Sequence, residues 1–312
     1  MRVAVTGGAG FIGANLCRVL SESEWVKDVV ALDDLSTGFA SYLDGVRATF
    51  IEGSILDSRA LDEAFAGADG VVHLAARPSI PRSIADPVAS HEVNASGTAQ
   101  VLEAVRRHHV GHIVVASSSS VYGANPTLPK HEDLAPAPLS PYAATKLATE
   151  AYALAWGHSF GIQVLAFRFF NVFGPLQSAG HAYAAVVPAL IDAALSGRPL
   201  PVHGDGRQTR DFTFVGNVTA VVADALQRKV TSPRPVNLAF GTRTSLIELI
   251  ALLEEVVGRS LERDHQPPRP GDVRDSQADM TILRALFPDI IPVALEKGLV
   301  ATVDWFHQSG TA

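Results

Sequence analysis

The first thirteen residues constrain the fold of this chain more than any other stretch. Met1 to Thr6 is a short apolar run with β-branched residues, the pattern of a strand buried on both faces of a parallel sheet. Gly7, Gly10 and Gly13 follow at once, and an apolar helical pattern then runs through Leu16, Val19 and Leu20. Strand, glycine turn and helix stand in the order that a dinucleotide site requires. Glycines there permit a tight turn, close approach of backbone to phosphate, and close packing of helix on strand. The free N–H groups of the helix N-terminus complete a seat for a pyrophosphate. A second strand, Val29 to Leu32, ends at Asp33 and Asp34. A carboxylate at that place accepts hydrogen bonds from adenosine ribose hydroxyls and repels a 2′-phosphate, which favours NAD over NADP.

Further strand-like runs recur at 49–52, 70–74, 113–117 and 164–169, with helical stretches at 59–65, 88–108 and 142–160 between them. Strands alternating with helices predict an α/β fold, a Rossmann-like doubly wound parallel sheet covered on both faces. Beyond Phe170 the pattern loosens. Helices are expected at 183–196, 218–227 and 245–257, a turn-rich stretch at 197–207, and a short strand at 236–239. We expect residues 1–175 to form the dinucleotide domain, with a segment near 213–241 returning to it. Residues 176–312 would mainly form a smaller C-terminal substrate domain. Ligands in such sheets bind beyond the strand C-terminal ends, and Gly7, Asp33, residues 73–76, residues 117–120 and Asn171 all fall at such ends.

The net charge of −7 and the lack of a basic stripe with interleaved aromatics argue against nucleic acid as a partner. No apolar run reaches the ~20 residues of a membrane helix. The single cysteine and the strand at the very start lead us to expect a cytoplasmic protein. His108, His109 and His112 are close in sequence, but they fall at a predicted helix C-terminus, where cationic side chains complement the helix dipole. With no acidic or cysteine partner in phase, we expect no metal site.

Tyr142 and Lys146 lie one helical turn apart, on one side of their helix. A phenol with a pKa of ~10 is a poor base at neutral pH. A neighbouring ammonium lowers that value by stabilising phenolate, and a nicotinamide cation would add to the effect. The run Ser117-Ser118-Ser119-Ser120, at a strand end, supplies a hydroxyl to hold a substrate oxygen. Together these residues point to hydride transfer between a nicotinamide and a hydroxyl-bearing carbon.

Several stretches carry a family resemblance that spans nearly the whole chain. They are residues 6–13 (Thr-Gly-Gly-Ala-Gly-Phe-Ile-Gly), 73–76 (His-Leu-Ala-Ala), Asn94-x-x-Gly-Thr98, 117–123, Tyr142-x3-Lys146, 170–175, 204–211 and 269–274. The chain resembles the extended short-chain dehydrogenases/reductases of the NAD-dependent nucleotide-sugar epimerase/dehydratase group. The resemblance implies Tyr142 as base, Ser118 as its hydroxyl partner, and Lys146 on the nicotinamide ribose. It implies NAD contacts at Gly7, Gly10, Phe11, Ile12, Gly13, Asp33, Asp34, Ser54, Ile55, Leu74, Ala75, Ala76, Asn94 and Ser117. It also implies a UDP-sugar held by Ser118, Asn171, Val186, Val202, His203, Arg210, Arg269, Asp272 and Ser276, and a homodimer. Ser54 replaces an aspartate usual in the family, His203 replaces a stacking aromatic, and Gly216-Asn217 replaces an acidic pair.

Within that family, dehydratases carry an acid pair after the catalytic hydroxyl residue, where this chain has Ser119 and Ser120. Ser178 stands where uronate epimerases place an arginine, and Ser276 where some hexose epimerases carry a bulky tyrosine. The resemblance therefore implies C4 epimerisation of UDP-glucose and UDP-galactose, with room for the N-acetyl sugars. The alternatives are a UDP-glucuronate 4-epimerase, a 4-keto-sugar reductase and a 4,6-dehydratase.

Overall fold

Seven parallel strands form the central sheet, in the spatial order β11-β6-β5-β4-β1-β2-β3. The computed structural model describes residues 1–179, 185–267 and 274–309. Its strands are β1 (Arg2–Thr6), β2 (Asp28–Asp33), β3 (Thr49–Glu52), β4 (Gly70–His73), β5 (His112–Ser118), β6 (Gln163–Phe169), β7 (Val172–Phe173), β8 (Leu200–His203), β9 (Thr209–Arg210), β10 (Thr213–Phe214), β11 (Val236–Leu238), β12 (Thr244–Ser245) and β13 (Arg263–Gln266). The helices are α1 (Phe11–Glu22), α2 (Ser58–Phe65), α3 (Ile80–Ala85), α4 (Pro87–His91), α5 (Gly97–Arg107), α6 (Pro141–Phe160), α7 (Val186–Leu195), α8 (Val215–Arg228), α9 (Leu246–Val257), α10 (Thr281–Leu286) and α11 (Leu295–Ser309).

Side-chain alternation divides the sheet's residues between two cores. Val3, Val5, Val72, Val114, Leu165 and Phe167 point to the face covered by α1 and α8, where Leu16, Leu20, Val218, Val222 and Leu226 meet them. Ala4, Val71, Ile113, Val115 and Ala166 point to the other face, against Leu61 and Phe65 of α2 and Leu102 and Val105 of α5. Both faces are dry, which explains why these strands read as continuous apolar runs. Although late in sequence, α8 and β11 return to this sheet: β11 pairs with β6 through Val236 and Phe167.

A third core lies outside the sheet, built from Leu190 and Ile191 of α7, Leu200 and Val202 of β8, Leu249, Ile250 and Leu253 of α9, and Leu299 and Phe306 of α11. Three two-stranded ladders trim it: β7 with β10, β9 with β12, and β8 with β13. The stretch read as turn-rich, 197–207, thus contains β8, because its pairing partner β13 lies some sixty residues away in sequence.

The expected helix 88–108 forms, with a π-bulge inside it. Helix α4 stops at His91, a wide π turn spans Glu92–Ser96, and α5 begins at Gly97. The bulge turns the Asn94 side chain inward, where its Oδ1 accepts from the Arg77 N–H at 2.6 Å and its amide donates to Thr145 Oγ1 at 3.0 Å. The pair Gly216-Asn217 also has a structural account. The Asn217 amide mimics a peptide against Val293, donating to its carbonyl at 3.1 Å and accepting from its N–H at 2.8 Å. A Cβ on Gly216 would lie 2.7 Å from the Phe214 ring. His108 meets Asp62 at 2.7 Å, while His112 is buried and meets the Val230 carbonyl at 2.9 Å, so the two rings face different partners.

Ser245 caps α9 with a reciprocal capping box: its side chain accepts from Glu248 N–H, and the Glu248 carboxylate accepts from Ser245 N–H. Ser245→Ala removes one side of that box. We expect it to lower unfolding stability by about 1 kcal/mol, measured by urea denaturation, with the cofactor content of the protein unchanged.

Candidate active site

The strand C-terminal ends open into a crevice of ≈ 690 Å³. Its floor at one end is the glycine turn. Gly7 adopts φ +72° and lies so close to the loop after β4 that a Cβ would sit 2.7 Å from Ala75 N. A Cβ on Gly13 would sit 1.9 Å from the Gly7 carbonyl oxygen, so no other residue fits there. Gly10 caps α1 without a side chain, which leaves the first N–H groups of the helix directed to the crevice.

Asp33, at the end of β2, braces this turn. One carboxylate oxygen accepts from Ala9 N–H at 3.0 Å and the other from Leu35 N–H at 2.9 Å. Burial raises its pKa, and the N–H donors oppose that rise. Asp34 is exposed at the crevice rim, where its side chain accepts from Ser36 N–H. Cys17, buried behind the turn, is pushed up to about 12 by burial and is an inert thiol.

Helix α6 supplies the other end. Ser140 caps it by accepting from Ala143 N–H, Pro141 opens it, and Gly161 closes it at φ +70°. Its first turn brings Tyr142 into the crevice, where it shares the wall with Ser118 at the end of β5. One turn on, the Lys146 amine donates to the Ala116 carbonyl at 2.9 Å. The Ser117 hydroxyl donates to the Lys146 carbonyl at 3.1 Å and to Glu150 Oε2 at 2.8 Å. Behind Lys146, the buried His73 ring bridges Thr6 and Thr98. Burial, assisted by Lys146, pushes it down to about 3, so it is neutral.

The lowering of the Tyr142 pKa expected from Lys146 is not seen. Burial raises the Tyr142 pKa, and the nearby Ser118 hydroxyl offsets this only in part. Lys146 points its charge at a strand carbonyl, and burial pushes the amine itself down to about 8. Desolvation is the leading cause for both groups.

The crevice brings together Gly7, Gly10, Phe11, Ile12, Gly13, Asp33, Asp34, Ile55, Leu74, Ala75, Ala76, Ser117, Ser118, Tyr142, Lys146, Asn171, Arg210 and Ser276. Five expected contacts do not line it. Ser54 uses its hydroxyl to accept from Leu56 N–H in a turn. Asn94 is buried behind the wall, bracketing Arg77 and Thr145. Val186 and Val202 pack into the third core, and His203 faces the Pro267 carbonyl. Arg269 and Asp272 lie outside the described residues. Sequence reasoning missed Tyr42, Lys130, Gln177 and Asp275 on the crevice wall. It also missed Glu150, although that residue continues the Tyr142–Lys146 stripe by one more turn.

Comparison with known proteins now places the chain. The NAD dependent epimerase/dehydratase family matches residues 3–239. This chain belongs to that family. A UDP-glucose 4-epimerase of Mycolicibacterium smegmatis is 37% identical over 318 residues, covering 98% of this chain and 99% of its own. The structure of a UDP-N-acetylglucosamine 4-epimerase from Methanobrevibacter ruminantium M1, in complex with UDP-N-acetylmuramic acid, superposes with a TM-score of 0.93 at 32% identity, covering 99% of this chain and 98% of that one. A UDP-glucuronic acid 4-epimerase from Bacillus cereus, in complex with UDP-glucuronic acid and NAD, superposes with a TM-score of 0.90 at 31% identity, covering 99% and 100%. The protein is thus an enzyme of the NAD-dependent sugar epimerase/dehydratase family, and NAD is its cofactor. The residues present fit that cofactor: the glycine cradle has no room for side chains, and Asp33 sits where a ribose would be met. Among the described residues, no helix is long and apolar enough to cross a membrane.

Two outcomes follow from this geometry. Gly13→Ala is expected to yield protein that carries no NAD after purification, read from nucleotide released on denaturation, with its circular dichroism retained. Lys146→Met removes a charge that burial penalises. Between about 8 and 10.5 the unfolded wild type binds more protons at this residue than the folded form, so wild-type stability rises with pH there. In cofactor-free protein, the variant should therefore melt above wild type at pH 7, and the gap should close as pH rises through that window.

Proposed function

We propose that the protein interconverts UDP-glucose and UDP-galactose at C4 and also accepts the corresponding N-acetyl sugars. The observation that carries this reading is that Tyr142, Ser118, Ser119 and Ser120 share one crevice wall. Residues 118–120 carry hydroxyls and no carboxylate, so they can hold a sugar oxygen but lack the acid pair that a dehydration would use. Ser178 in place of an arginine disfavours a uronate, and Ser276, small and on the wall, leaves room for a 2-acetamido group.

In this mechanism Tyr142 takes the proton from the sugar O4 while Ser118 holds that oxygen by hydrogen bond. When bound, NAD supplies a reversible hydride acceptor for C4, and its cationic ring adds the positive charge that lowers the Tyr142 pKa. Lys146 would hold the nicotinamide ribose. Arg210, Arg269 and Asp272 would hold the nucleotide diphosphate firmly, leaving the 4-ketohexose free to turn over before Tyr142 returns the proton. A guanidinium suits diphosphate oxygens because its N–H groups form a planar fork. We also propose a homodimer formed through the outer faces of α4 and α6, where Val88, Tyr152 and Phe160 are exposed. The single cysteine, a buried free thiol, supports a cytoplasmic setting.

NMR of products after separate incubation with UDP-glucose, UDP-N-acetylglucosamine and UDP-glucuronate tests the reading. We expect C4 epimers of the first two without added NADH. Tyr142→Phe should lower kcat by about 10²–10⁴-fold. Ser276→Tyr should suppress N-acetyl turnover and spare glucose turnover. Turnover that requires added NADH would establish a reductase instead.

A further inference from the structure

Beneath the catalytic stripe lies an ion pair that the proposed chemistry does not use. Glu150 and Arg168 are 4% and 3% exposed at their side chains. Arg168 grips Glu150 with two donors, Nε to Oε2 at 3.0 Å and Nη2 to Oε1 at 2.6 Å. The guanidinium also lies over the Tyr122 ring, 4.6 Å from its centroid, and the Tyr122 hydroxyl donates to Asn237 Oδ1 at 2.7 Å. The pair therefore joins α6 to β6, and through Tyr122 and Asn237 to β11.

A buried pair of this kind is weak evidence for stability, since desolvation offsets most of the attraction. Its connections suggest another role. Glu150 sits eight residues after Tyr142 and four after Lys146, in one stripe along α6. Its Oε2 also accepts from Ser117, and the same Ser117 hydroxyl reaches the Lys146 carbonyl. Ser117 directly precedes Ser118, which shares the crevice wall with Tyr142. The helix is thus clamped at one height against the strand end that carries the other reacting group. A slide of α6 along β5 would break the Glu150 contacts and part Tyr142 from Ser118 together.

We propose that Glu150, fixed by Arg168 and gripped by Ser117, is a positioning residue that sets the axial register of α6 on β5 and so places Tyr142 against Ser118. This rests on Tyr142 being the base of the proposed reaction. The effect acts through geometry, and misplacement of a reacting group costs rate rather than affinity.

Ser117→Ala isolates the clamp, because the Glu150–Arg168 pair remains whole and no buried charge is left unpaired. We expect kcat on whichever nucleotide sugar the wild type epimerises to fall at least about tenfold, with KM, bound NAD and melting temperature close to wild type. Ser117→Thr keeps the hydroxyl and should restore kcat. Arg168→Lys, which cannot grip with two donors, should act in the same direction with a loss of melting temperature. A structure of the Ser117→Ala holoenzyme gives a readout that needs no turnover: α6 should shift along β5 and the separation of Tyr142 from Ser118 should grow relative to wild type. An unchanged separation, or an unchanged kcat, overturns the proposal. A wild type that epimerises nothing refutes the function assigned above, while the Tyr142–Ser118 geometry still decides the positioning role.

Discussion

The seating of α6 on the end of β5 is the interaction on which the rest of the site depends. Three side chains on that helix, Thr145, Lys146 and Glu150, each meet a different neighbour: Asn94, the Ala116 carbonyl, and Ser117 with Arg168. None of these contacts is large. Together they fix rotation and height of one long helix against one strand, and the cofactor cradle at β1 lies two strands away in the same sheet. Because the sheet is dry on both faces, its strands cannot shift to relieve a misfit. Precision at the crevice is therefore inherited from the core.

The electrostatics of the crevice run against the simplest expectation. A cation near a phenol should make it acidic, yet both Tyr142 and Lys146 are driven toward their neutral forms by burial. His73 is neutral for the same reason. The protein on its own thus holds the base protonated and the amine easily discharged. In the proposed reaction, the positive charge that lowers the Tyr142 pKa would arrive with the cofactor.

Much of this was legible in the sequence, and the reasons differ by residue. The glycine turn could be read because its requirement is local: φ at Gly7 and contact at Gly13 involve neighbours within one turn. The strands could be read because burial on both faces leaves long apolar runs. Helix 88–108 could be read, but its π-bulge could not, because the bulge serves Asn94, whose partners Arg77 and Thr145 are 17 and 51 residues away. Strand β8, with Val202 in the third core, could not be read because its pairing partner β13 lies some sixty residues on. Arg168 and Glu150, 18 residues apart, meet only once the sheet exists. Local constraints are written in the chain as patterns, whereas long-range pairings are written only in the fold.

One contact described by neither pattern nor motif ties the two halves together. Tyr42, on the crevice wall beside the glycine turn, meets the edge of Trp305 in α11, with ring centroids 6.5 Å apart and planes at 84°. Trp305 in turn abuts Phe306, which is fully buried in the third core. The parallel sheet and the third core thus meet through edge-on aromatic rings, so the packing of α11 sets the wall of the crevice at Tyr42 without itself lining it.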